Sequence, residues 1–84
     1  MAKIFKGVLV ELPELKIGLL VPHDYNFVTV DQNGEVWAFA EAPIYSKERN
    51  CWVLVAGNCA YLTEGTFESE KEKELCKTKI WEIK

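Results

Sequence analysis

The stretch Val28-Thr29-Val30-Asp31-Gln32-Asn33-Gly34-Glu35-Val36-Trp37-Ala38-Phe39 places an Asn-Gly pair between two runs of alternating apolar residues. Asn33-Gly34 predicts a two-residue type I′ turn, the bend whose twist matches that of the strands it joins. Such a turn sets Gln32 opposite Glu35, Asp31 opposite Val36, Val30 opposite Trp37 and Val28 opposite Phe39. Alternation then puts Val28, Val30, Trp37 and Phe39 on one face, with Phe27, Thr29, Asp31, Val36, Ala38 and Ala40 on the other.

Residues 3 to 12 also alternate, with Ile4, Val8, Val10 and Leu12 on one side and Phe5 and Leu9 on the other. Pro13-Glu14 predicts a turn that pairs Glu11 with Lys16, Val10 with Ile17 and Val8 with Leu19. A longer loop is the alternative there, because ordinary type I turns splay hairpins. Pro22-His23-Asp24 ends the second strand, and Ala42-Pro43 closes the Asn33-Gly34 hairpin. Tyr45 to Asn50 is charged and without apolar period, which predicts an exposed loop. Gly57-Asn58 predicts a type II′ turn and a third hairpin pairing Ala56 with Cys59, Val55 with Ala60, Leu54 with Tyr61 and Val53 with Leu62. Both faces of that ribbon are apolar, as in a central strand or an oligomer interface.

Ser69-Glu70-Lys71-Glu72 has capping-box spacing, so a short helix is expected from Glu70 to Cys76. Thr78 to Ile83 reads as a final strand anchored by Ile80, Trp81 and Ile83. The expected architecture is one small domain over residues 1–84, mainly β (α+β). It is an antiparallel meander of about six to seven strands with one short C-terminal helix.

Composition narrows the function classes. A net charge of −3, from 13 acidic and 10 basic residues, suits neither a basic nucleic-acid binder nor a dense acidic mimic of nucleic acid. No uncharged apolar run is long enough to span a bilayer. The start Met1-Ala2-Lys3 lacks a secretory leader, and Cys51, Cys59 and Cys76 make an odd count. The expectation is a cytoplasmic protein with reduced thiols.

Candidate chemistry is sparse. His23, the single histidine, sits between Pro22 and Asp24 and reads as an exposed turn residue rather than half of a Cys-His dyad. The cysteines lack the close spacing of a zinc site, so buried structural thiols are expected and no metal. Asp31 to Glu35 lacks the remaining acidic positions of a calcium loop. No Walker loop, dinucleotide fingerprint or nucleophile elbow occurs, so neither catalytic residues nor a cofactor are expected. Lys47 and Arg49 sit beside Tyr45 on a loop, where two cations serve surface solubility first and, as the alternative, the grip of an anion or stacking on a base. Aromatic residues make up 12% of this short chain, which fits either a partner surface lined by some of them or one dense core that takes them all.

Asp31-Gln32-Asn33-Gly34-Glu35-Val36-Trp37-Ala38-Phe39, then Ala42-Pro43 and Trp52, resembles a pattern in small uncharacterised bacteriophage proteins. Those read D-x-x-G-x-(V/I)-(W/Y)-x-(F/Y), followed by a proline and a tryptophan strand. The resemblance covers about a quarter of the chain. It implies a phage or prophage origin and a role in countering or redirecting a host protein, and it assigns no active-site residue. The expected function is a non-catalytic protein-binding module, an inhibitor of a host enzyme or defence complex, that contacts its partner through Trp37, Phe39, Tyr45, Lys47 and Arg49. Self-association into a homo-oligomer is expected from the apolar third ribbon. The alternative is a homo-oligomer that sequesters a small anionic ligand such as a nucleotide.

Overall fold

A computed structural model describes residues 7–83 of the chain; Ile4 and Phe5 of the first alternating run lie outside them. The described residues form eight strands and one helix, in the order β1 (Gly7–Leu12), β2 (Ile17–Pro22), β3 (Phe27–Val30), β4 (Glu35–Phe39), β5 (Ile44–Ser46), β6 (Cys51–Val53), β7 (Cys59–Glu64), α1 (Glu70–Leu75) and β8 (Trp81–Glu82). The class is mainly β, with every ladder antiparallel, as the alternating runs require. A four-stranded sheet in the order β7-β4-β3-β8 is flanked by two ribbons, β1-β2 and β5-β6.

The central hairpin differs from expectation by one position. Val30 pairs with Val36, Thr29 with Trp37, Val28 with Ala38 and Phe27 with Phe39. Asp31 N–H donates to the Glu35 carbonyl at 2.8 Å, and Gly34 N–H donates to the Asp31 carbonyl at 2.9 Å. Gly34 alone takes a left-handed φ, +90°. The loop is therefore the three residues Gln32-Asn33-Gly34, a type I turn completed by a left-handed glycine. This slip sorts the side chains better than the two-residue turn would. It gathers Val28, Val30, Val36 and Ala38 on one face, none more than 3% exposed, and sends Trp37 and Phe39 to the other face with Phe27, Thr29 and Asp31.

The first hairpin takes its longer alternative. Its loop runs over Pro13–Lys16, with Lys16 left-handed at φ 57°, and Leu15 N–H donates to the Leu12 carbonyl at 3.0 Å. Leu12 faces Ile17, Val10 faces Leu19 and Val8 faces Val21. A shift of two positions leaves each residue on its expected side. Leu12, Leu19 and Val21 accordingly pack into one cluster with the four small side chains of the sheet, Cys76, Trp81 and Ile83. Leu9 and Leu20 face outward as a directly paired, exposed couple.

The expected hairpin about Gly57-Asn58 does not form. β6 pairs instead with β5, and β7 crosses to the outer side of β4. Gly57 does reverse the chain, at φ +74°, but the Asn58 carbonyl accepts from Ala40 N–H at 2.9 Å and starts a ladder on β4. Part of the expected Tyr45–Asn50 loop is likewise strand: Tyr45 and Ser46 belong to β5, opposite Trp52 and Cys51. Trp52 N–H donates to Asp31 Oδ1 at 2.8 Å and the Trp52 indole N–H to the Cys76 carbonyl at 2.9 Å, so β6 bridges the sheet and the end of α1.

Helix α1 begins where the capping spacing predicts. Ser69 Oγ accepts from Glu72 N–H at 3.2 Å, and Glu72 Oε1 accepts in return from Glu68 N–H at 2.9 Å. Gln32 at the central hairpin tip donates to the Lys73 carbonyl at 2.8 Å and fixes the helix against it.

Thr29 is fully buried, and among the described residues its hydroxyl finds no hydrogen-bond partner. A desolvated, unpaired hydroxyl costs more than the isosteric methyl that could replace it. Thr29→Val is therefore expected to raise stability by about 1 kcal/mol, read as a higher urea midpoint at unchanged slope.

Candidate protein-binding edge

Strand β7 has a partner on one side only, β4, while the opposite margin of the sheet is the two-residue β8. The direction of its backbone groups follows from the ladder. Ala40 and Asn58 form a hydrogen-bonded pair, so Ala38 and Ala60 do too, and Cys59 and Tyr61 aim their N–H and C=O groups away from β4. A bulge facing the Val36–Trp37 step adds Leu62 to β7. Past it, Gly65 N–H donates to the Gly34 carbonyl at 3.0 Å, which turns Glu64 outward as well. The edge carries the sequence Cys-Ala-Tyr-Leu-Thr-Glu, without the lysine or proline that usually blunts an open strand.

Beside this edge lies an aromatic pair. Trp37 is directly opposite Tyr61, and their rings meet edge to face with centroids 5.7 Å apart. Trp37 Nε1 donates to Glu35 Oε1 at 3.2 Å, which holds the indole half-buried and fixes its orientation. Tyr61 stays 48% exposed. Burial first, and then the charges of Glu64 and Glu35, push its phenol above the usual range. Leu54 and Val55, in the crossing to β7, are exposed too.

The five residues singled out from the sequence are dispersed. Trp37 belongs to the aromatic pair. Phe39 shares its face but is only 3% exposed, so it offers nothing to a partner. Tyr45 packs edge-on against Trp52 at 5.4 Å, with its hydroxyl buried. Lys47 and Arg49 are exposed at the β5-β6 loop, as a charged loop predicts, and line neither the cleft of about 350 Å³ nor that of about 410 Å³. Sequence reasoning misses Tyr61, Glu35 and Glu64. The alternation of Cys59 to Glu64 identifies a strand, but a partner assigned at residues 53–56 hides its outer edge.

Asp31 is 7% exposed, and its carboxyl is pushed above the ordinary range by burial, with the Trp52 N–H opposing and the Glu35 charge adding. A folded-state value above the unfolded one gives a contribution complete below about pH 4 and lost as pH climbs through the raised value. Asp31→Asn keeps an acceptor for Trp52 N–H and abolishes this titration. Its stability relative to the parent protein is expected to be higher at about pH 7 than at about pH 4, as urea unfolding at both conditions would show.

His23 is exposed in the turn after β2. Cys76 is fully buried, and burial, with Glu72 and Glu14 nearby, pushes its thiol up to about 11. Burial raises the Cys51 thiol as well. Thiolates rather than thiols react. Iodoacetamide on the native protein should therefore modify Cys76 last and slowest, and peptide mass spectrometry would check the order.

Comparison with protein-family models, with curated proteins and with solved structures finds no match to this chain.

Proposed function

We propose that this chain is a non-catalytic protein-binding module that takes an extended segment of its partner onto the outer edge of β7. The observation that carries this reading is the open edge of β7, with the backbone groups of Cys59, Tyr61 and Glu64 aimed outward beside the Trp37–Tyr61 pair. Main-chain pairing would supply affinity, and the flanking side chains selectivity. The similarity of Asp31–Phe39, Pro43 and Trp52 to small bacteriophage proteins supports a host enzyme or defence complex as the target, with the module acting as an inhibitor. The exposed His23 and the raised thiols of Cys51 and Cys76 favour binding over nucleophilic chemistry.

The test uses Cys59→Pro, which deletes an outward N–H while leaving every β4 bond in place. Affinity capture from host lysate should recover a stoichiometric protein with the parent chain and lose it with this variant, whose melting curve confirms folding. Equal capture by both would reject edge pairing.

A further inference from the structure

Glu35 and Glu64 are direct cross-strand partners on the same face as Trp37 and Tyr61. Like charges placed directly opposite each other destabilise a ladder. Nothing in the described structure relieves the pair. Its two salt bridges, Lys77–Glu74 and Lys79–Glu14, lie elsewhere, and among the described residues Glu64 has no hydrogen-bonding or ionic side-chain partner. One Glu35 oxygen accepts from the Trp37 indole, which still leaves the second carboxylate uncompensated. Two carboxylates beside a half-exposed aromatic pair are complementary to one chemical group, a cation with a flat or apolar body.

We infer that the segment taken up by β7 carries an arginine whose guanidinium lies over Trp37 and Tyr61 between Glu35 and Glu64. This rests on the edge-pairing reading and specifies its partner. An added strand places every second side chain on this face, and a residue opposite Tyr61 or Glu64 projects toward both carboxylates. A guanidinium satisfies that position better than an ammonium, because its planar fork bonds a carboxylate in two places and stacks on a ring. A second copy of this chain does not fit. The β7 sequence Cys59–Glu64 holds no basic residue, so pairing with itself would add carboxylates and leave the repulsion unanswered.

The test titrates the intact, nitrogen-15-labelled protein with the strand-forming peptide acetyl-Thr-Val-Arg-Val-Thr-amide and with the same peptide bearing neutral citrulline for arginine. Amides of Cys59 to Glu64 and the Trp37 indole should shift, with the arginine peptide about tenfold tighter. That advantage should shrink in Glu64→Gln and disappear in Glu35→Gln/Glu64→Gln. Glu64 is exposed, and the amide oxygen introduced by Glu35→Gln still accepts from the Trp37 indole, so both variants keep the fold. Equal binding of the two peptides at β7, or an arginine advantage that survives the double variant, overturns the arginine assignment while leaving edge pairing intact. No shift at β7 with either peptide overturns both. Concentration-dependent shifts of the same amides without peptide, with a doubled mass in sedimentation, would instead assign the edge to a second copy.

Discussion

Gly34→Ala is expected to cost this protein about 3 kcal/mol or more, the sum of backbone strain and overlap. At φ +90° an L side chain is strained, by roughly 1–2 kcal/mol. The added Cβ would also overlap the Gly65 carbonyl oxygen. That neighbour is backbone, and the Gly65 N–H is bonded to the Gly34 carbonyl, so neither can retreat without breaking the start of the β4-β7 pairing. A domain of this size has roughly 4–13 kcal/mol in total. The melting temperature should therefore fall by more than about 10 °C. Gly65→Ala is the matched control. It has nothing within 4 Å and no left-handed φ, so it should melt close to the parent. Similar melting of the two variants would mean that the Gly34–Gly65 contact is not what holds β7 in place.

Trp52→Ala should be comparably severe, about 3–5 kcal/mol. Its ring is 9% exposed and packs edge to face with Tyr45. Its indole N–H reaches the Cys76 carbonyl just past α1, and its backbone N–H reaches Asp31 at the end of β3. Removing the ring opens a cavity and leaves that carbonyl unpaired, so the β5-β6 ribbon loses its hold on the helix. Trp52→Phe separates these effects. It keeps most of the ring and forfeits the indole bond, for about 1–3 kcal/mol. Guanidinium unfolding followed by circular dichroism would rank the three proteins; a phenylalanine variant as unstable as the alanine one would give the hydrogen bond, rather than packing, the larger share.

Alternation made most of the strands legible, β5 excepted, and capping chemistry located α1 to within one residue of its end. Which strands pair was much less so. Asn33-Gly34 suits both a two-residue and a three-residue loop, and only tertiary burial of Val36 and Ala38 decides between them. Gly57-Asn58 turns the chain in either topology. What separates them is whether the Asn58 carbonyl meets Ala40 or stays local, a contact between distant residues that no short window of sequence contains. The candidate edge inherits this. Trp37 was identifiable as an aromatic in a strand, but Tyr61 opposite it, and the repulsive Glu35–Glu64 couple, exist only once β7 is laid on β4.

The placing of β8 beside β3 has a consequence for how firmly the sheet is closed. Val28 meets Trp81 across most of the chain, and just two residue pairs make up that seam. Ring closure over so long a span is entropically the dearest junction in the molecule, while its ladder returns the least. Local opening should start there, at the margin opposite β7, so β7 remains seated on β4 while the far side of the sheet breathes.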